Sequence, residues 1–466
     1  MKKIIYLLIL FCIGLQLEAA TITVTTSGDA GAGSLRDAIA VAVAGDDVVF
    51  DASTDGTPIV LTSGAITVGT DVTITGNGIG TTIIDGSASD RIFVINGNSV
   101  SIASVTLTNG ASPVGAATDG GGAISIDNAA VVTIDMAEIT NSVATGGSGG
   151  GIIVLNGSNL TVSNSTISGN MAVRAGGGIE TNGNSTLTVT DSNIDNNATG
   201  ASPGNGGGVH VTGPGITTVT GGTVNGNTAA AEGGGLWNGS GTMTVTATTL
   251  DGNTASGASA DQGGGGLFNA GGTLIVNNAT ITNNVANGAA GSGGGILSDA
   301  GGSLTVNGST IANNTSVRAG GGIEVNNSVT VGSLDLMDTD INSNSTGSSP
   351  GNGGGIHITG PGDSNIIGGN VTNNSAANEG GGLWNGTGTM TVTNVIVENN
   401  TAPTDPDFFS LPGGTIVINN AENIPTMSEW GLILLTLLML NFVSISVLAG
   451  KTSFAGMNQS GTTYFN

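Results

Sequence analysis

The sequence has few of the residue types on which most binding and catalytic chemistry depends. Its 466 residues include seven basic residues, two histidines and one cysteine, and aromatic residues make up 3% of the chain. One cysteine excludes a disulfide framework, and two separated histidines add no ligand set for a transition metal. The formal net charge is −25. Nucleic acid is therefore not expected as a partner, because nothing would neutralise its phosphates.

Glycine is abundant instead, with 84 residues, and it recurs in a regular pattern. Glycine triplets follow one another at intervals of 27 to 33 residues, and self-similarity at such a period is typical of solenoids. The triplets begin at Gly120, Gly149, Gly176, Gly206, Gly233, Gly264, Gly293, Gly320, Gly353 and Gly380. Each precedes a strand-like segment and no lysine follows, so we interpret them as tight turns between coils and not as phosphate-binding loops.

Short segments between the triplets alternate apolar and polar residues. Leu160 to Ile167 is one example, and its unit ends on Asn170; this alternation predicts β-strands, with no room for a long helix. Like residues of stacked parallel coils lie about 4.8 Å apart. The sequence therefore predicts an all-β parallel solenoid of about thirteen coils. Its expected inward aliphatic row is Ile152, Ile179, Val209, Leu236, Leu267, Ile296, Ile323, Ile356 and Leu383.

A block of five coils is present twice. Val173 to Gly176 returns as Val317 to Gly320, and Gly235 to Asn238 returns as Gly382 to Asn385. We place the two copies at about residues 149–292 and 293–401, within regular coils that extend over 120–420.

The sequence of the N-terminal region predicts a signal peptide, a capping helix and irregular first coils. Residues 1–20 have the charged start, apolar run and small-residue end of a secretory signal peptide, which predicts export. Ser34 to Gly45 predicts a short amphipathic helix, with Ser34 as the N-cap and Asp37 near the capping-box position. We expect residues 21–119 to hold this capping helix and coils that differ from the interior ones.

Two segments near the N-terminus carry a family resemblance. Ile22 to Thr26 and Gly33 to Ile39 resemble the N-terminal motif of bacterial surface proteins with right-handed parallel β-helix repeats, a group with polymorphic outer membrane protein-like and adhesin-like members. The resemblance implies a right-handed parallel β-helix over about residues 21–420. It also implies export through the inner membrane of a Gram-negative bacterium to the cell surface, the outer membrane or the medium.

The C-terminal region resembles the IPTL-type sorting domain over residues 421–450. The apolar segment 432–449 is long enough for a transmembrane helix, and Lys451 follows it. The resemblance implies an exosortase-like processing enzyme and the membrane as partners, with 451–466 as a short tail. The sorting motif consists of Ile424, Pro425, Thr426, Glu429, Trp430 and Gly431.

The residue after each inward aliphatic residue alternates to the outer face, and this outer row contains the order Glu, His, Trp twice. Sugar rings stack on tryptophan while carboxylate and imidazole groups bind hydroxyls, so the row predicts a glycan-binding surface. The competing interpretation is that the duplication copied a purely structural row. The candidate ligand-binding residues are Glu180, His210, Trp237, Phe268, Glu324, His357 and Trp384.

A polysaccharide-active enzyme, a lyase or hydrolase, is the alternative function. Glu180 with His210, or Glu324 with His357, would act as acid and base. Hydrolysis requires two facing carboxylates, and the outer-row glutamates are five coils apart, so no catalytic residue is assigned. The acidity suits Ca²⁺, but the calcium-binding nonapeptide is absent, and we assign no metal or cofactor. We expect a surface or matrix-associated, adhesin-like protein with an extracellular glycan or matrix polysaccharide as partner.

Overall fold

The computed structural model describes residues 19–113 and 119–420, and their regular structure is almost entirely β-strand. Successive coils contribute strands to four sheets in which each strand pairs in parallel with its neighbours, giving a β-solenoid of about 14 turns. Most of the predicted signal peptide, the predicted sorting domain and the tail lie outside the described residues.

Sheet 1 is the largest, with 15 strands. Buried aliphatic residues alternate with more exposed polar ones, as in Thr186–Thr190, and this alternation turns one face of the sheet to the core. Its strands are Thr21–Val24, Asp46–Phe50, Val72–Thr75, Ser99–Ala103, Val131–Asp135, Asn159–Ser163, Thr186–Thr190, Ile216–Thr220, Thr242–Thr246, Thr273–Asn277, Ser303–Asn307, Ser333–Met337, Ser364–Ile367, Thr389–Thr393 and Thr415–Asn419.

Sheets 2 and 3 follow sheet 1 in each coil and consist of shorter strands. Sheet 2 has 13 strands: Ile59–Val60, Ile83–Asp85, Thr106–Thr108, Glu138–Thr140, Thr166–Ser168, Asn193–Asp195, Thr223–Asn225, Thr249–Asp251, Thr280–Thr282, Thr310–Ala312, Asp340–Asn342, Asn370–Thr372 and Ile396–Glu398. Sheet 3 has nine: Ala111–Ser112, Val143–Ala144, Met171–Ala172, Ala198–Thr199, Thr228–Ala229, Thr254–Ala255, Val285–Ala286, Thr315–Ser316 and Ser345–Thr346.

Sheet 4 directly follows the glycine triplets and carries the candidate site. Its 13 strands are Ile66–Val68, Phe93–Asn96, Ile124–Asp127, Ile152–Val154, Ile179–Asn182, Val209–Thr212, Leu236–Asn238, Leu267–Ala270, Ile296–Asp299, Ile323–Asn326, Ile356–Thr359, Leu383–Asn385 and Phe408–Ser410. The predicted inward row is confirmed, because each member from Ile152 to Leu383 is fully buried and pairs with the next in register.

A ladder of buried asparagines follows sheet 2. In the middle of it, Asn284 Oδ1 accepts hydrogen bonds from the backbone N and the Nδ2 of Asn253 at 2.9 and 2.8 Å. Its own Nδ2 donates to Asn314 Oδ1 at 2.9 Å and to the Leu250 carbonyl at 3.0 Å. Because each amide pairs with the coils on both sides, the ladder fixes the register of the stack. Its members are Asn170, Asn197, Asn227, Asn253, Asn284, Asn314, Asn344, Asn374 and Asn400.

The glycine triplets make the close turn from sheet 3 into sheet 4. The first glycine, such as Gly176, has a positive φ of 61°, a conformation that side chains disfavour. The second, such as Gly177, lies so close to the next coil that a Cβ would overlap the Gly207 carbonyl oxygen. This agrees with tight turns between coils.

A helix lies near the N-terminus of the solenoid, as the sequence predicts. It spans Leu35–Val41, and the Ser34 side chain caps it by accepting a hydrogen bond from the Asp37 backbone N at 3.2 Å. The helix ends before Gly45, because Ala42 is already extended. Leu35, Ala38 and Ile39 belong to the solenoid core; the role of an end cap stays a prediction. A short 3₁₀ helix spans Ala52–Thr54.

No helix in the described part of the chain is long and apolar enough to cross a membrane. The predicted C-terminal transmembrane helix lies outside that part.

Candidate functional site

The outer row of sheet 4 brings the predicted site residues together in two clusters. In the first, Glu180 pairs with His210, His210 with Trp237, and Trp237 with Phe268. In the second, Glu324 pairs with His357, His357 with Trp384, and Trp384 with Phe409. Phe409 was missed in the sequence, because the last coil has no glycine triplet before it; its position after the aliphatic Phe408 would have identified it.

The centre of each cluster is a carboxylate beside an imidazole. In the first cluster, His210 Nδ1 lies 2.7 Å from Glu180 Oε2. Thr212 Oγ1 donates to Glu180 Oε1 at 3.0 Å and lies 3.1 Å from His210 Nδ1. Both of these contacts use Nδ1 of the ring, and no described residue forms a hydrogen bond with His210 Nε2.

The second cluster repeats this geometry. His357 Nδ1 lies 2.6 Å from Glu324 Oε2, and Thr359 Oγ1 donates to Glu324 Oε1 at 3.0 Å. Arg318 adds a cation, with its Nη1 at 3.7 Å from Glu324 Oε1. Two copies separated by more than 140 residues of sequence therefore hold the same residue types in similar positions. They differ in detail, because Arg318 pairs with its carboxylate only in the second copy and Glu324 Oε2 forms no hydrogen bond there.

The outer row is more buried than the sequence predicted. Alternation places these side chains outside the aliphatic core, but Glu180, His210, Glu324 and His357 are only 3%, 6%, 0% and 3% exposed. The reason is that the glycine turn folds back over them: a Cβ on Gly206 would come within 2.6 Å of His210 Cβ. The side chains at the centre of each cluster are therefore covered and do not form an open surface.

The aromatic residues also differ from the predicted sugar platform. The Trp237 ring is stacked on His210 with centroids 4.2 Å apart, and on Phe268 on its other side at 6.0 Å. Trp384 is likewise stacked between His357 at 4.0 Å and Phe409 at 5.8 Å. Ring faces that are stacked on both sides cannot also stack against a sugar, so the predicted stacking role of the two tryptophans is wrong.

The indole edges are held by loop carboxylates. Trp237 Nε1 donates to Glu232 Oε2 at 2.9 Å, and Trp384 Nε1 donates to Glu379 Oε2 at 3.1 Å. Burial raises the pKa of the Glu232 carboxyl, and Asp261 and Asp299 raise it further, while the Trp237 hydrogen bond and His210 act in the opposite sense. These bonds anchor the loops that precede the glycine triplets to the outer row.

A cavity of about 330 Å³ opens at the first cluster. Its lining residues are Ser148, Ile153, Arg174, Ala175, Glu180, Asn182, Pro203, Asn205, His210, Thr212 and Trp237. In the second block the corresponding residues are Ser292, Leu297, Arg318, Ala319, Glu324, Asn326, Pro350, Asn352, His357, Thr359 and Trp384. All of them are identical except Ile153, which corresponds to Leu297.

A second cavity of about 500 Å³ adjoins the first at Asn182 and lies toward the earlier coils. Arg91 lines it, and its guanidinium donates to the carbonyl oxygens of Asp119 and Gly120 at 2.7 and 2.9 Å. Polar residues such as Ser125 and Asp127 complete much of its wall. Among the described residues, no group of three or more His, Cys, Asp or Glu side chains could hold a metal ion.

The sequence matches a known family model over part of its length. A model described as "Right handed beta helix region" matches residues 58–255. This match and the parallel sheets support a right-handed β-helix repeat protein. No curated protein sequence matches the chain.

Solved structures with a similar course of the chain include the catalytic domain of Agl-KA, at 13% identity and a TM-score of 0.43, covering 87% of this chain and 69% of that one. The A-module of a mannuronan C-5 epimerase from Azotobacter vinelandii has 14% identity and a TM-score of 0.42. The match covers 85% of this chain and 97% of the A-module chain. The catalytic unit of an α-1,3-glucanase from Streptomyces thermodiastaticus has 14% identity and a TM-score of 0.39. The match covers 88% of this chain and 70% of the glucanase chain.

Proposed function

We propose that this chain is an exported, cell-surface or matrix-associated, adhesin-like protein that binds an extracellular glycan in the two outer-row clusters of sheet 4. The observation that carries the proposal is the recurrence of the cavity lining, with only Ile153 replaced in the second block. Elsewhere the blocks have diverged: the sheet 1 strand Thr186–Thr190 corresponds to Ser333–Met337, with a different sequence.

The cavity chemistry supports a glycan as the ligand. Arg174, Asn182 and Asn205 supply donors and acceptors beside the buried Glu180–His210 pair. Groups of this kind, converging in a concave site, are what hydroxyl-rich ligands require. A charged phosphate polymer is disfavoured by the strongly acidic chain.

A purely structural role of the clusters does not account for all of the recurring residues. The stack itself needs the Glu, His, Thr and Trp side chains, which contact one another. Arg174 and Asn182 are different, because no described residue forms a hydrogen bond with either side chain. In the second block the side chains of Arg318 and Asn326 do have protein partners, so it is the first cluster whose unpaired donors favour a ligand.

The test is a glycan array probed with the wild-type protein and with a variant carrying Arg174→Ala and Arg318→Ala. We expect the wild-type protein to bind a defined set of glycans and the double variant to lose most of that signal. Thr188→Ala changes an exposed residue on sheet 1 and serves as the control that keeps full binding. No bound glycan, or equal binding by the double variant, would contradict the proposal.

A polysaccharide-active enzyme, either a lyase or a hydrolase, remains the second candidate, and one observation favours it. Glu180 holds His210 through Nδ1 and leaves Nε2 for a substrate proton, an arrangement that suits general acid–base catalysis. Incubation with common polysaccharides, followed by assay of reducing ends and unsaturated products, tests this role. Product formation that His210→Ala and His357→Ala together abolish would support the enzyme; no product would exclude it for those substrates.

Export and C-terminal sorting are part of the proposal. The signal-like residues 1–20 and the sorting-like residues 421–450 support delivery across the inner membrane of a Gram-negative bacterium and processing by an exosortase-like enzyme. Mass spectrometry of the mature C-terminus, combined with cell fractionation, tests this. Loss of the chain after about Ile424 would support sorting, and an intact tail in the inner membrane would contradict it.

A further inference from the structure

We infer that the two clusters bind one ligand together, and that this ligand is an uncharged linear polysaccharide long enough to contact both clusters. The inference rests on the proposed glycan binding and adds to it the chain length and the charge class of the ligand.

The two clusters lie in one column of sheet 4. From Glu180 the outer row passes through His210, Trp237, Phe268 and Leu297 to Glu324, each paired with the next. Five parallel ladder steps of about 4.8 Å separate equivalent atoms of the two clusters by about 24 Å. A ligand of one or two sugars contacts one cluster, whereas a chain of several sugars can reach both.

The clusters also share several distances and angles, although the Glu–His contact is a hydrogen bond only in the first cluster. The Glu–His distances are 2.7 and 2.6 Å, and the Thr–Glu hydrogen bonds are both 3.0 Å. The His–Trp ring planes meet at 28° and 27°. Two copies of one binding arrangement at a fixed spacing suit a ligand that itself repeats, which a linear polysaccharide does.

The charged residues between the two clusters indicate the charge of the ligand. No lysine or arginine occurs in the sequence between Arg174 and Arg318. Between the clusters, the Asp299 carboxyl lies at the end of a sheet 4 strand, and the Glu232 carboxylate is held beside the outer row by its bond from Trp237. An acidic polysaccharide that crossed from one cluster to the other would meet these carboxyl groups without a compensating cation, so a neutral polymer is favoured.

Binding at two linked sites changes affinity in a measurable way. Once one cluster holds the polymer, the second binding event is intramolecular, and the combined affinity can exceed that of either site by about 10² to 10⁴. Trisaccharides of the same sugar gain nothing from the second site. The ratio of polymer affinity to trisaccharide affinity therefore reports whether the clusters act together.

The experiment is isothermal titration of the full chain with dextran, laminarin and mannan, each as polymer and as trisaccharide, and with alginate as the acidic polymer. The proteins are the wild type, Arg174→Ala and Arg318→Ala, with thermal unfolding as the check that each is folded. For a neutral sugar that binds, we expect two trisaccharides per wild-type molecule and one per single variant. The polymer should bind the wild type about tenfold or more tightly than the trisaccharide, and each single variant should lose this difference.

Equal affinities of polymer and trisaccharide for the wild type would overturn the inference, as would a single variant that keeps the polymer advantage. Preferential binding of alginate would contradict the inference that the ligand is uncharged. Trisaccharides that bind at two independent sites would leave the proposed function intact, whereas no binding of any probe in any form would contradict the proposed function and the inference together.

Discussion

The imidazole of His210 lies 2.7 Å from the carboxylate of Glu180, although 30 residues separate them in the sequence. The contact exists because the two residues are opposite one another in adjacent parallel strands. The same relationship joins His357 to Glu324. A coil-to-coil contact of this kind contributes both to the stability of the stack and to the shape of the cavity.

Replacing Thr359 by valine is expected to destabilise the protein. The change keeps the side-chain shape but removes the hydrogen bond to the fully buried Glu324. A bond to a charged group that is lost in the interior costs about 1–3 kcal/mol. Urea unfolding measures the change, and Thr188→Val, at an exposed position of sheet 1, is the matched control with a change of about 0.5 kcal/mol or less. Equal effects of the two substitutions would show that the bond contributes little.

Asn284→Ala tests the buried asparagine ladder. The substitution removes the Asn284 amide that bonds the backbone N of Asn253 and the Leu250 carbonyl, and each unsatisfied buried group costs about 1–3 kcal/mol. We expect a loss of about 3 kcal/mol or more in the free energy of unfolding. Asn365→Ala removes an exposed side-chain hydrogen bond to Asp335 and is expected to change it little. A mild effect of Asn284→Ala would mean that water replaces the ladder.

Ile296→Ala tests the inward aliphatic row. Ile296 is fully buried between Leu267 and Ile323, and truncation of such a side chain costs about 2–5 kcal/mol. Ile216, which is 57% exposed on sheet 1, provides the matched control, and Ile216→Ala should cost much less. The same urea unfolding experiment gives both values, and similar values would contradict the predicted core.

The stability should depend on pH through Asp299. Burial raises the pKa of its carboxyl, and the carboxylates of Asp261 and Glu324 raise it further. The folded state therefore holds this proton more tightly, and stability falls as pH rises above the ordinary aspartate range. Thermal unfolding of Asp299→Asn should show a higher melting temperature than the wild type at about pH 7, with the difference shrinking toward about pH 3.5.

Asp135 is a control whose pKa shift has the opposite sign to that of Asp299. Hydrogen bonds from Ser163 and Asn164 lower the pKa of its carboxyl, so its stabilising contribution is present at neutral pH and is lost as pH falls. Asp135→Asn should therefore melt below the wild type at about pH 7 and approach it in acid. If both variants differ from the wild type in the same direction, the assigned electrostatics are wrong.

The sequence predicted the repeating features of the fold because they depend on periodicity. The inward row from Ile152 to Leu383 and the pairing of outer-row neighbours such as Glu180 and His210 follow from coil length and alternation alone. The helix start at Ser34 followed from capping chemistry. Its end at Val41 did not, because Ala42 turns extended before Gly45 is reached.

The burial of the site could not be predicted in the same way. Alternation gives the side of the sheet on which His210 lies, but not that the turn at Gly206 covers it. The stacking of Trp237 between His210 and Phe268 likewise depends on ring orientation, which a one-dimensional pattern does not contain. Asn182, Asn205 and Thr212 were recognisable only as members of the duplicated block, through their recurrence as Asn326, Asn352 and Thr359.

The chain contains only two histidines, His210 and His357, and each lies in one cluster. Selective ¹⁵N labelling of the histidine rings therefore gives one set of NMR signals for each proposed binding site. Titration with a neutral polysaccharide that binds the protein should shift the Nε2 signals of both histidines, because the ligand contacts both clusters. Signals that stay unchanged while the polysaccharide is demonstrably bound would show that binding occurs elsewhere and would contradict the central claim.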